Sequence, residues 1–176
     1  MKYGLNFNRQ GFLGATAMTA VAAALGSTEV VSAQSAHNDR RIAMASPPPS
    51  EIQTLIENHI KGFNDQNTEL FSSVFGETAI IIDGIAPYRW LNPNAPANWL
   101  ADVEKWRKDL GVTYEHLAYE MGFWIVEGAH AYAVISGTLT VTIKGQTATR
   151  AGTMAYTFSK ERNEWKIGAQ AWGRTS

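Results

Sequence analysis

An α+β fold is predicted by three features of this 176-residue chain. Apolar residues recur at helical spacing in three stretches up to Leu110, whereas everything beyond Gly111 is strand-like. The four later stretches, residues 113–126, 129–143, 147–159 and 164–173, are rich in Thr, Val, Ile, Tyr and Trp and are divided by the short turns "EGA", "KGQ" and "KERNE". They alternate: Ala131, Ala133, Ile135, Gly137, Leu139 and Val141 share one face, and Tyr132, Ser136, Thr138, Thr140 and Thr142 share the other. In the next strand Gly152, Met154, Tyr156 and Phe158 oppose Thr149, Thr153 and Thr157. A meander with one apolar face needs a cover, and the preceding helices supply it. The small residues on that face leave volume for something besides side chains.

The domain begins at Ser50, where "SEIQ" has the form of a capping box, with the serine hydroxyl accepting from an amide of the first turn and Gln53 reaching back. Ile52, Leu55, Ile56, Ile60 and Phe63 then mark one helix face, and His59 lies inside the same stripe and so points inward. The run 64–67 breaks the helix. Leu70, Phe71, Val74 and Phe75 form a short second helical face that folds back on the first. A strand over 79–83 follows, then the loop "PYRWLNPNAP", then a third helix from about Ala97 to Leu110 with Trp99, Val103, Trp106 and Leu110 on one side. Gly111 is placed to stop it.

Residues 1–33 read as an export signal. Lys2 and Arg9 make a positive start, "GFLGATAMTAVAAALG" is an apolar run, and "VSA" ending at Ala33 suits a signal peptidase. The run falls short of the roughly 20 apolar residues of a permanent span. Gln10 stands where a twin-arginine signal needs its second arginine. Residues 34–49, ending in "SPPP", read as a flexible linker, and 50–176 as one domain. The expected location is periplasmic or secreted, with no membrane attachment after cleavage. The chain has no cysteine, so stability must come from the core of a chain that is 45% hydrophobic. A net charge of −1, without a basic cluster, argues against nucleic acid or anionic lipid as partner.

The stretch "IIIDGIAPYRW" carries the sharpest chemical question, because a run of strand-forming isoleucines ends in a carboxylate, Asp83. Asp-Gly is ordinary turn chemistry. Strand parity from Ile81 instead turns Asp83 inward, towards a pocket. His59 has the same two readings, a core histidine satisfied by a hydrogen bond or a pocket residue. If the two met in an apolar cavity, each would shift the other's titration and the pair would suit proton transfer near neutral pH. Tyr88 and Arg89 are expected near the cavity rim, and His116 and His130 carry no assigned chemistry. No Cys/His cluster, phosphate-cradling glycine loop or nucleophile elbow is present, so neither a metal nor a cofactor is expected.

This order of elements, with an Asp-terminated strand followed by a "PY" loop, resembles the nuclear transport factor two-like superfamily, which includes SnoaL-like polyketide cyclases, scytalone dehydratase and ketosteroid isomerases. The resemblance covers about Ile52 to Gly173. It is closest to the ketosteroid isomerase type over "HIKGFNDQNTELFSSVFGETAIIID". It implies a cone-shaped, curved antiparallel sheet with three helices on its concave face. It also implies Asp83 as catalytic base, His59 at the place of an oxyanion-holding tyrosine, and Trp172 on a pocket wall. The second oxyanion donor of that type falls at about Met154, which has no proton to donate. Each such donor is worth roughly 3–4 kcal/mol, so this departure argues against steroid isomerisation. Tyr156, one pleat away and inward, is an alternative donor.

Two functions follow as expectations. The first is an exported, non-catalytic module that binds a small hydrophobic molecule or dimerises through its sheet. The second is a cofactor-independent isomerase, cyclase or dehydratase with Asp83 as general base and His59 as partner. In either case Tyr156, Trp172, Trp90, Met154 and Gln170 are the expected ligand-binding residues. A homodimer is expected through the uncharged, Thr-rich outer faces that carry Tyr132 and His130.

Overall fold

The computed structural model describes residues 47–91 and 93–175; the expected export signal and all but 47–49 of the linker lie outside the described residues. Helix α1 spans Ser50–Asn64, α2 Thr68–Ser73 and α3 Ala95–Leu110, with β1 at Phe75–Ile82 and β2 at Arg89–Trp90. The meander follows as β3 Val112–Glu127, β4 His130–Ile143, β5 Gln146–Glu161 and β6 Glu164–Arg174.

The expected elements are present, with three local differences. Pro49 is the N-cap of α1, no side chain caps it, and Gln53 Nε2 donates forward to Glu57 Oε1 at 2.7 Å. The capping box does not form because Ser50 is already the first helical residue. Phe75 opens β1 instead of ending α2, and Asn67 starts α2 by accepting from Leu70 N at 2.9 Å. The third difference is β2, a two-residue strand inside the expected loop, whose Trp90 pairs with Ile81. As expected, Gly111 closes α3 in the left-handed conformation, with φ of 71°.

The six strands form one curved sheet in the order β2-β1-β6-β5-β4-β3. Its meander is antiparallel throughout, as the short turns require, but β1 joins β6 in parallel, so the sheet is mixed. No hairpin links β1 to β6, so nothing imposes an antiparallel pairing there. Curvature has a local source. Gly122 is an extra residue between the Met121–Ile135 and Phe123–Val134 pairs, and Gly168 is one between the Thr157–Ala169 and Phe158–Ile167 pairs. Such bulges bend a strand and increase its twist.

The alternation read from the sequence separates the two faces. Ala131, Ala133, Ile135, Gly137, Val141, Gly152, Met154, Tyr156 and Phe158 are buried, while Tyr132, Ser136, Thr138, Thr153 and Thr157 are exposed. The helices lie over the buried, concave side, and Ile52, Ile56, Ile60 and Phe63 of α1 join Ile81, Ile135 and Ile167 of the sheet in one core. Full burial of such side chains is worth about 1.5–3 kcal/mol each. Asn64 fixes the end of α1 to β3 at two points, Nδ2 donating to Leu117 O at 3.0 Å and Oδ1 accepting from Leu117 N at 2.8 Å.

Gly62 lets α1 and α2 touch. A Cβ there would stand 2.6 Å from Phe71 N, a backbone atom that cannot swing aside. Gly62→Ala is therefore expected to destabilise the domain by about 1–3 kcal/mol, despite the roughly 1 kcal/mol alanine gains in helix propensity. Urea unfolding checks this; an unchanged or raised midpoint would show that the helix contact is loose.

Candidate functional site

The helices do not fill the concave face completely. A partly open cavity of about 270 Å³ remains, walled by Phe63, Trp99, Val103, Leu117, Leu139, Met154 and Trp172. His59, Asp83, Glu115, Arg150, Gln170 and Arg174 are the polar and charged groups on its lining.

Register explains why Asp83 is among them. Ile81 pairs with Gln170, so Ile81, Gln170 and the residues two further along share the concave face. Asp83 comes just after the last residue of β1 and keeps that parity. Trp99 Nε1 donates to its Oδ2 at 3.2 Å, and the Gly84 amide donates to Oδ1. Burial raises the Asp83 pKa above the usual 3.8; the Gly84, Trp99 and Ile85 hydrogen bonds oppose this without cancelling it. Trp99 is itself fixed, stacked on Phe71 with ring centroids 5.0 Å apart.

His59 sits deeper, 2% exposed. Its Nδ1 is 3.0 Å from the Tyr156 hydroxyl, and burial lowers its pKa from 6.5 to about 3, so the ring is neutral in any physiological medium. The neighbouring Gln170 side chain opposes this shift without cancelling it, and His59 Nε2 and Gln170 Oε1 are both enclosed, with no other partner among the described residues. His59 and Asp83 thus face one cavity without bonding to each other, and neither sets the other's titration. The directly coupled pair expected from sequence does not form, because Tyr156 and Trp99 take the two positions beside them.

The remaining expected ligand residues divide. Met154, Gln170 and Trp172 line the cavity. Tyr156 is fully buried behind His59 and touches no free space, so its role is to hold the imidazole. Trp90 is turned away and donates to Asp102 Oδ2 at 2.8 Å, and Tyr88 is 62% exposed outside the cavity. Trp172 also corrects the expectation that the small residues leave empty room. Its ring lies over Gly137 and Gly152, where a Cβ would come within 2.8 Å and 2.4 Å of it. That space is filled, and the cavity lies beyond it.

Three charged groups were not anticipated. Glu115 accepts from Arg107 Nε at 2.7 Å; burial, joined by repulsion from Asp83, raises its pKa against the opposing pull of Arg107. Arg150 and Arg174 share the concave face with Leu139 and Gly152, their respective strand partners. The signal was present in the alternation, because Arg150 has the parity of Gly152 and Met154, and Glu115 that of Leu117. Among the described residues no cluster of side chains is arranged to hold a metal ion, and no helix is long and apolar enough to cross a membrane.

No family model matches the sequence, and no curated protein does. Solved structures match over the described domain. An ntf2-like protein with a cystatin-like fold from Novosphingobium aromaticivorans superposes with a TM-score of 0.57 at 17% identity, covering 83% of this chain and 88% of that one. The chain has the NTF2-like fold. A ketosteroid isomerase-like protein from Erwinia carotovora gives 0.60 at 13% identity over 72% of this chain and 95% of that one. A hexachlorocyclohexane dehydrochlorinase, LinA-type3 of Novosphingobium barchaimii, gives 0.60 at 13% over 72% and 86%. The resemblance read from the sequence therefore holds at the level of the fold.

Stability of this NTF2-like domain should carry opposite pH signatures from His59 and the partly buried Asp83. His59 has a depressed folded pKa, so its contribution is complete above 6.5 and is lost as pH falls towards about 3. Asp83 has a raised one, so it costs stability as pH rises above 3.8 through its folded value. Asp83→Asn is accordingly expected to be as stable as wild type or more so at pH 7, with the advantage vanishing below pH 4. Urea titrations at several pH values check this, and a variant less stable at pH 7 would mark Asp83 as a structural cap.

Proposed function

We propose that this domain binds a small, mostly apolar molecule in the cavity and removes a proton from carbon, with Asp83 as the general base. One observation carries the reading: a carboxylate on the wall of a mostly apolar cavity, anchored by Trp99, its pKa moved upward by burial, with no cation bonded to it among the described residues. A base works best when its pKa approaches the working pH. A structural carboxylate gains nothing from such a place. The volume is just under the roughly 300–1,000 Å³ of ligand pockets, which suits a molecule of one or two rings.

In this reading Asp83 takes the proton and can return it at another carbon, giving isomerisation, or keep it while a neighbouring group leaves, giving elimination. His59 serves as a neutral hydrogen-bonding group, since its depressed pKa unfits it as a proton carrier. The names of two fold neighbours, a dehydrochlorinase and a ketosteroid isomerase-like protein, agree with chemistry of this kind. Binding without chemistry is the second reading, favoured by the missing bond between His59 and Asp83. Deuterium exchange into the α carbons of 2-tetralone, followed by NMR, separates the two. Asp83→Asn should lower the exchange rate by roughly 10²- to 10⁴-fold, with affinity retained. Exchange no faster than buffer in the wild type would leave the binding reading.

We also propose export to the periplasm or medium and pairing through the convex sheet face. That face exposes Tyr114 and Tyr132 among threonines. Light scattering of the mature domain at micromolar concentration is expected to give twice the chain mass. The monomer mass would refute the pairing.

A further inference from the structure

We infer that Arg150 receives a carboxylate at the open end of the cavity, so that the molecule bound there is an organic acid with an apolar body lying inward. The inference names the ligand class of the cavity and rests on its reading as a ligand site.

Arg150 is half-buried and lines the cavity, yet no hydrogen bond or ion pair holds its side chain among the described residues. A guanidinium keeps its charge at any physiological pH, and taking it partly out of water without an opposite charge is costly. The acids of the cavity do not supply one. Glu115, which lies across β4 from it, is engaged by Arg107 at 2.7 Å, and Asp83 is held by Trp99 and the Gly84 amide. Positive charge accumulates instead. Arg174 lines the same cavity, and on its other side Arg150 borders a shallow hollow lined also by Lys144 and, among the described residues, by no carboxylate.

Register sets the geometry. Arg174 pairs with Gly152, and Arg150 lies two residues before Gly152 on β5, so the two arginines are diagonal neighbours on the concave face, roughly 7–8 Å apart at the backbone. Side chains of that length reach a common anion. Arg174 is exposed whereas His59 and Gln170 are buried, so the arginines mark the outer end of the cavity. Inward of them Met154 and Trp172, partners across β5 and β6, give an apolar body its wall. Ile82 pairs with Ala171, which brings Asp83 level with Trp172. Arg150 is four residues from Met154, about 13 Å along the strand, and β5 is two strand spacings, about 10 Å, from β1. An acid held at Arg150 therefore presents the far end of its body to Asp83, rather than the carbon beside its carboxylate.

A planar guanidinium meets a carboxylate through two parallel hydrogen bonds. Asp83 and Glu115 on the same lining disfavour a doubly charged phosphate, so the singly charged carboxylate is the better match. A neutral amide of the same shape lacks the charge and turns hydrogen-bond donors towards the arginine.

The test is calorimetric binding of 2-naphthoate and 2-naphthamide, which share a shape and differ in charge. The wild type should prefer the acid by roughly ten- to a hundredfold, and added salt should reduce that preference. Arg150→Met, which keeps the apolar stem, should remove most of the preference while leaving the amide's affinity within about twofold. Arg150→Lys, which keeps the charge without the planar fork, should restore part of it. Asp83→Asn should not lower the preference, which separates the anion site from the proposed proton transfer. Equal binding of acid and amide by the wild type would overturn the inference and leave the apolar ligand site intact. Equal loss of both ligands in Arg150→Met would overturn it as well, by showing the side chain to be only a packing wall. Failure of both compounds to bind would remove the ligand reading and the carboxylate site together.

Discussion

The burial of the α1 stripe against the concave sheet is the interaction on which the other features depend. Ile52, Ile56, Ile60 and Phe63 enter the core together, and the helical period takes His59 in with them. Once inside, an imidazole must be neutral and hydrogen-bonded; burial keeps it neutral, and Tyr156 of the sheet supplies the hydrogen bond. The position of α1 is set at its C-terminal end. There Asn64 bonds both backbone groups of Leu117, and Gly62 admits the backbone of α2. These two fixtures hold one end of the helix layer against the sheet, and the space left below α3 becomes the cavity.

Three carboxylate environments on this domain show how burial separates roles. Asp109 and Lys105 pair at 2.7 Å on the exposed face of α3, where such a pair is worth little. Glu115 is almost enclosed and has an arginine bonded to it at 2.7 Å, so its charge is compensated. Among the described residues Asp83 is held by neutral donors, Trp99 and the Gly84 and Ile85 amides, so its charge is stabilised by dipoles and opposed by burial. Burial raises the pKa of both Glu115 and Asp83, but Glu115 is tied to an arginine and Asp83 is not.

The glycines of the concave face serve the aromatic group above them. Gly137 and Gly152 are paired across β4 and β5, and the Trp172 ring occupies the hollow they make. The indole thereby lies flat on the sheet and forms a wall of the cavity without blocking it. The bulges at Gly122 and Gly168 bend the outer and inner strands, so the concavity and the site on it have a common backbone origin.

The sequence by itself determined the elements, the faces and the fold. The period of α1 placed His59 inward, the alternation of β4 and β5 separated the buried from the exposed residues, and parity from Ile81 turned Asp83 towards the concave side. These are local properties, carried by spacings of two and of three to four residues, and they survive without knowledge of any neighbour. Which groups meet was decided only by the tertiary structure. Trp90 and Trp99 are nine residues apart with indoles of equal capacity, yet Trp99 reaches Asp83 and Trp90 reaches Asp102, because the path of the loop and the rotation of α3 choose between them. Tyr156 and Gln170 are both inward, but the depth of His59 puts one behind the imidazole and the other beside it on the cavity lining. Partner choice at this scale depends on shifts of an ångström or two between elements far apart in the chain, and no spacing within one element encodes them.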